Sequence, residues 1–199
     1  MRPPIDKMVI RTALHEEFFD YKDKLDIKRS PVGGAFGKVR SSGSKPHQGW
    51  DLYAPMNAPV YSICDGMVVN LRDTFGAEEY AKDSFGNFVC ILLTDTALQR
   101  VRHKFRCDLF AFYGHLADVA VESGDQVRGG YVCGHVGRSG NAAHSPSHLH
   151  FEIRTIMSPP KGSGLKYRID PGEICGFDHY SSDPGNEGDY SSLGSESAH

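Results

Sequence analysis

The chain predicts a mainly β protein built on an antiparallel sheet, and three observations carry that expectation. Its apolar runs are short and rich in β-branched and aromatic residues, as in Pro59 to Cys64, Phe85 to Leu93 and Leu109 to Leu116. Turn residues separate them, with 22 glycines and 11 prolines in 199 residues. A hydrophobic content of 39% in a chain of this length suits one well-formed core with some length left for extensions.

Three segments follow. Residues 1–30 form a densely charged N-terminal extension, in which Ala13 to Lys24 fits a short helix or an extended arm equally well. Residues 31–175 form the domain. It opens with a Gly-, Ser- and Pro-rich loop to Pro46, then a β-like run from Pro59 to Cys64, the turn Asp65-Gly66 and a hairpin partner from Met67 to Leu71. Arg72 to Ser84 reads as an inserted loop and Phe85 to Leu93 as a strand. A second long connection, Thr94 to Cys107, has the basic centre Arg100-Val-Arg-His-Lys-Phe-Arg106, read as a solvated hairpin rather than a patch for an anionic polymer. Strands from Leu109 to Leu116 and Tyr131 to Val136 come next. The Gly- and Ser-rich loop from Gly137 to Ser147 leads into a strand starting at His148, and Ile169-Asp-Pro-Gly closes the domain. Residues 176–199 hold five acidic residues and no Lys or Arg, a tail with too little apolar content to fold alone.

A formal charge of −3 gives no reason to expect nucleic acid as a partner, and no run is long and apolar enough to span a bilayer. Cys64, Cys90, Cys107, Cys133 and Cys175 are odd in number and widely spaced, which fits buried thiols better than a disulfide framework. The N-terminus lacks the apolar core of a classical signal peptide.

Chemistry concentrates in Ser147-His-Leu-His-Phe-Glu-Ile-Arg154. Side chains on a strand alternate faces, so His148 and His150 point the same way while Leu149 and Phe151 face the core. Two imidazoles on one face begin a metal site that needs one or two more donors. His47-Gln-Gly-Trp-Asp51 offers an imidazole and a carboxylate four apart, with Gly49 permitting a tight backbone path between them. Tyr113-Gly-His115 supplies a further histidine. The remaining histidines, His15, His103, His135, His179 and His199, read as core or surface residues, and His144 adjoins the site by its loop.

These motifs resemble the lysostaphin-type zinc endopeptidases of bacterial cell walls. The match runs through His47-Gln-Gly-Trp-Asp-Leu-Tyr-Ala-Pro, Pro59 to Val68, Phe112-Tyr-Gly-His-Leu116, Val127 to Gly137 and His148-Leu-His-Phe-Glu-Ile153, covering residues 33 to 172 in the family's order. The resemblance implies an antiparallel β core with a substrate groove walled by loops: Phe36 to Arg40, the two insertions and Gly137 to Ser147. It implies His47, Asp51 and His150 as ligands of one Zn²⁺ ion, with His115 and His148 as catalytic histidines; spacing alone does not divide His148 from His150. Tyr113, Asn141 and His144 are expected to reach the substrate. That substrate is the peptide part of peptidoglycan, cut in a cross-bridge or stem peptide.

Two departures bear on substrate range: the loop before His148 is long and ends in Ser147 where proline is commoner, and the connections at 72 to 84 and 94 to 107 are extended. The alternative function is an inactive wall-binding or hydrolase-activating module, but such members typically lose metal ligands and this chain keeps all three. Action in the periplasm or cell wall without a classical leader suggests export by a specialised secretion system or release by lysis, as for an antibacterial effector. Such a toxin needs an immunity or inhibitor protein as partner. The N-terminal extension is a candidate inhibitory segment, with His15 or Asp20 near the metal.

Overall fold

The computed structural model describes residues 1–6, 9–10, 34–37 and 46–175. The helix or arm at 13 to 24, the groove wall at 38 to 40, the inhibitory contacts of His15 and Asp20 and the acidic tail lie outside the described residues. The expected β architecture is borne out. Among the described residues, ten strands form one antiparallel sheet: β1 Val9–Ile10, β2 Trp50–Tyr53, β3 Pro59–Tyr61, β4 Gly66–Arg72, β5 Asn87–Leu93, β6 Phe110–Val119, β7 Gln126–Val127, β8 Val132–Val136, β9 His148–Arg154 and β10 Arg168–Ile169. The main path runs β1-β2-β9-β6-β5-β4-β7, with β10 on β9, and β8 joining both β6 and β3.

The sheet sorts its side chains by alternation. Leu149, Phe151 and Ile153 of β9, Trp50 and Leu52 of β2, and Ala111 and Tyr113 of β6 enter the hydrophobic core. His148, His150, Glu152 and Arg154 take the other face of β9 and are nevertheless buried. That second face is polar and enclosed, and it holds the site.

Two connections depart from the sequence reading. Pro59–Tyr61 pairs with β8 and not with the following strand, while β4 pairs with β5 and β7. Asp65 explains the divergence: its backbone carbonyl accepts from Thr94 N and its side chain from Gly129 N, each at 2.9 Å, so the chain is drawn away before it can fold back on itself. The basic stretch is helical, not a hairpin. Asp95 caps a 3₁₀ turn at Thr96–Leu98 by accepting from Ala97 N at 2.8 Å, α1 follows at Gln99–Phe105, and Arg106 ends it in the left-handed conformation. Neither Gly nor Pro interrupts this run, and Leu98 and Phe105, seven residues apart, both meet the core. A short helix α2, Pro171–Cys175, closes the described chain.

The first six residues pack onto the domain. Ile5 is buried, Arg2 N donates to Ile63 O, Tyr61 N donates to Pro4 O, and the Arg2 guanidinium lies 3.7 Å from the Tyr61 ring centroid. Cys64, Cys90, Cys107 and Cys133 are free, all but Cys107 buried. Burial pushes the thiols of Cys64 and Cys133 up to about 12 and that of Cys90 up to about 11. In a variant lacking Cys107 and Cys175, the remaining three are therefore expected to ignore a charged disulfide reagent at pH 8 until denaturant is added.

Gly49 is fixed by space. A Cβ there would sit 2.2 Å from Phe151 O and 2.8 Å from Glu152 Cγ, and a backbone oxygen in a paired strand cannot step aside. Gly49→Ala is expected to destabilise the fold by about 1–3 kcal/mol, a cost of the size that overpacking brings. Thermal unfolding of the metal-free protein reads it, and an unchanged midpoint would contradict the close approach.

Candidate metal centre

The centre starts from the pairing of β2 with β9. Asp51 stands directly opposite His150, and Tyr53 opposite His148. Cross-strand neighbours on one face lie close enough for side chains to meet, so register alone brings the carboxylate to the imidazole. His47 arrives from the loop before β2, where its backbone N–H and C=O both bond to Gly37. One ligand atom from each of His47, Asp51 and His150 lies within 4.8 Å of the others, and all three residues are buried.

Asp51 Oδ1 is the hub, 3.1 Å from His47 Nε2, 2.8 Å from His150 Nδ1 and 3.8 Å from His148 Nε2. Outward-facing ring nitrogens are tied off. His47 Nδ1 donates to Ala35 O at 2.8 Å, His148 Nδ1 to Pro146 O at 2.7 Å and His115 Nδ1 to Ser139 O at 2.8 Å. A carbonyl can only accept, so each of these three rings donates from Nδ1 and turns Nε2 toward the centre. His150 is reversed: its Nε2 meets Glu152 Oε1 at 2.9 Å and its Nδ1 faces Asp51.

The charges follow this geometry. Burial alone would raise the Asp51 pKa, but His47, His148 and His150 around it hold it well below the usual carboxylate range. Burial disfavours the His150 cation, yet the Asp51 and Glu152 carboxylates overcome this and raise its pKa to about 9. A proton between His150 and Asp51 thus stands where a cation would sit. For His115 burial acts first, reinforced by His148 and His150, and holds the pKa well below the ordinary histidine value. It is a neutral base at pH 7.

The donor set fits a divalent ion such as zinc: two imidazole nitrogens and a carboxylate oxygen converge, and the other ring nitrogen of each histidine ligand is held by a carbonyl or a carboxylate, the usual support of a metal-bound imidazole. His115 and His148 adjoin this trio. Their rings are 5.2 Å apart, and that of His115 is 5.9 Å from His150.

His115 reaches this face by breaking the strand's rule. Tyr113 points into the core, so plain alternation would send His115 there too. Instead β6 bulges against β5: Gly114 pairs with Phe88 and Leu116 with Asn87, leaving His115 as the extra residue with φ of 62°. A left-handed φ is uncommon for a residue with a side chain, and here it turns His115 to the face that carries His148 and His150.

The other expected residues divide. Tyr113 is not brought to the site; it is fully buried, its ring against Phe151 and its hydroxyl accepting from Ile63 N at 3.1 Å. Asn141 and His144 are exposed on the loop before β9, and His144 lies against the exposed ring of Tyr80, centroids 5.0 Å apart. Ser147, the residue that departs from the usual proline, is fully buried and donates to Ala54 O at 2.7 Å, anchoring that loop. His135 pairs with Asp118 away from the centre.

Sequence reasoning missed three residues. Glu152 follows His150 at strand period and could have been found by extending the alternation two residues. Phe85, read as the start of a strand, instead stacks on His150 with centroids 5.1 Å apart and an interplanar angle of 27°. Ser139 orients His115 through its carbonyl while its hydroxyl accepts from Asn87 N and donates to Leu116 O. Nothing local in the sequence marks either.

Comparison with known proteins finds relatives of this chain. An uncharacterized metalloprotease of Buchnera aphidicola is 30% identical over 145 residues, 71% of this chain and 32% of that protein. The peptidoglycan DD-endopeptidase ShyA of Vibrio cholerae is 32% identical over 108 residues, 54% of this chain and 20% of ShyA. The chain therefore spans a third or less of the length of these relatives. The catalytic domain of the antimicrobial peptidase lysostaphin from Staphylococcus simulans superposes with a TM-score of 0.51 over 72% of this chain and 89% of that domain, at 22% identity, a likeness of fold. The sequence pattern of peptidase family M23 matches residues 45–165, which include every histidine and carboxylate of the centre. With that match spanning more than half of the chain, the protein belongs to peptidase family M23.

Proposed function

We propose that the chain is a zinc-dependent endopeptidase that hydrolyses peptide bonds in the cross-links or stem peptides of bacterial peptidoglycan. One observation carries the chemical part of this reading. Around one buried carboxylate, four imidazoles each have one nitrogen bonded to a backbone carbonyl or to Glu152, an arrangement that fixes ring orientation before any ligand arrives. The family membership and the name of ShyA support the substrate class.

His47 Nε2, Asp51 and His150 Nδ1 would hold one zinc ion. Bound there, zinc supplies Lewis-acid chemistry, acidifying a water and polarising a carbonyl. The remaining work falls to the chain's own groups. His115, neutral and oriented through Ser139, accepts a proton at Nε2 or returns one to the departing amine. His148, oriented by Pro146 O, presents the same nitrogen beside Asp51 and can donate to a developing oxyanion once protonated. Phe85 covers one face of His150 and keeps water from it. Asn141 and His144, with Tyr80 beside the latter, are positioned on exposed loop surface to meet the substrate chain. An inactive wall-binding role would leave this donor set without a purpose.

His150→Ala is expected to lose zinc and hydrolysis together. His115→Ala should retain zinc and lose turnover by about 10²–10⁴-fold, the usual contribution of a positioned acid–base group. Metal analysis and release of free amines from purified peptidoglycan read both, and a zinc-free His115→Ala protein would sink this division of roles.

An effector or lytic enzyme of this kind acts only where its wall substrate lies, and the producer of such a toxin would need an immunity or inhibitor protein. Expression behind an added periplasmic leader is expected to lyse the host, and expression without one to leave it intact. Equal toxicity from the cytoplasm contradicts a wall target.

A further inference from the structure

Behind His150, on the side away from Asp51, lies a buried ion cluster. Glu152 is fully buried and splits its carboxylate: Oε1 takes His150 Nε2, while Oε2 accepts from Arg154 Nε at 2.7 Å and from Arg168 Nε at 2.8 Å. The two arginines differ in how they are held. Arg154 neighbours Glu152 on β9 and lays its guanidinium on the Phe112 ring, 3.5 Å from the centroid. Arg168 comes from β10, opposite Arg154, and its Nη1 donates to Ser163 Oγ and Gly164 O at 3.0 Å and to Lys166 O at 3.4 Å. Tyr167, just before it, has φ of 68°, turning the chain so that Arg168 enters the sheet at only 4% side-chain exposure.

Arg168 lies beyond residue 165, where the match to the family ends. We propose that Arg168 is a positioning residue for the metal centre, contributed by the chain's own C-terminal segment and acting on the ligand His150 through Glu152. A carboxylate placed against the far nitrogen of a ligand imidazole holds the ring's tautomer and angle and strengthens its donor atom. A lone buried carboxylate would be free to swing; with two fixed guanidinium groups on Oε2, Oε1 is held aimed at His150. Arg168 does this with its other nitrogen anchored in the 163–166 turn, so the fold of that turn is linked to the affinity of the site. The inference rests on His47, Asp51 and His150 being metal ligands.

The test compares the full chain with Arg168→Gln, Arg168→Lys and Glu152→Gln, measuring zinc affinity by competition with a chromophoric chelator, the visible spectrum of the cobalt(II) form, and thermal unfolding of the metal-free protein. Arg168→Gln is expected to weaken zinc by about 10- to 100-fold, the size typical of lost outer partners, and to alter the cobalt spectrum, with Arg168→Lys recovering part of the loss. A purely structural arginine would lower the melting temperature and leave zinc affinity within twofold of wild type, which overturns the proposal. Should Arg168→Gln not fold, Glu152→Gln decides: it keeps a hydrogen-bonding group beside His150 but gives Arg168 no charge to act through, and wild-type affinity in this variant refutes the relay. Wild-type protein that takes up no zinc is a separate result, overturning the metal-site reading itself.

Discussion

The pairing of β2 with β9 is the constraint on which the rest of this structure depends. It sets Asp51 against His150 across the sheet, and through the short loop before β2 it fixes where His47 can reach. The pairing is possible because Gly49 lets the incoming chain pass against the carbonyl of Phe151, where a side chain would collide with backbone. One residue of slip would turn Asp51 toward the core and send Trp50 to the polar face. The core residues Trp50, Leu52, Leu149 and Phe151 oppose that slip by the apolar area they bury, so hydrophobic packing on one face holds the register of the ligands on the other.

Placing so many polar groups out of water is costly, and the structure offsets the cost by pairing them. An unpaired buried carboxylate carries a penalty of several kcal/mol. Asp51 is surrounded by imidazoles, and Glu152 is met by His150, Arg154 and Arg168; burial works to raise the Glu152 pKa, but His150 and Arg154 hold it well below the ordinary range. The two carboxylates flank His150 and raise its pKa, while His115, further from both, is lowered. Histidines a few ångströms apart thus come to differ in charge state, His150 a cation between the carboxylates and His115 neutral.

Much of this was legible in the sequence because it obeys a period. Alternation along β9 placed His148 and His150 on one face and Leu149 and Phe151 on the other, and the His-x-Gly-x-Asp spacing marked the second ligand group. The resemblance, not spacing, separated the role of His150 from that of His148. What stayed hidden breaks a period or acts across the fold. The bulge at His115 reverses the facing that strand alternation assigns. The first strand after Trp50–Tyr53 pairs with β8, more than seventy residues on, because contacts from Thr94 and Gly129 capture Asp65. Tyr113 sits beside His115 in sequence but on the opposite face in space, which is why its place next to a motif misled. The helix at Gln99–Phe105 was obscured by its charge, since a short run of basic residues carries little apolar period to read.

Those cross-fold contacts also explain how a family centre can be adjusted without touching its ligands. The connection after β4, expected as a mere insertion, is sewn to the loop before β9: Gly140 N donates to Glu79 O, Arg138 N to Ala77 O and Asn141 N to Ser84 O. Asn87 ties both to β6, accepting from Thr74 N and Phe75 N while donating to Phe75 O and Ala117 O. The same stretch carries Phe85 onto His150 and leaves Ser139 O as the acceptor for His115. A change in that connection therefore moves the orientation of His115 and the cover over His150 together, whereas a change at Asn141 or His144 alters exposed surface. The hydrogen bonds through Asn87 and Ser139 are where the connection after β4, the loop before β9 and the ring of His115 are joined.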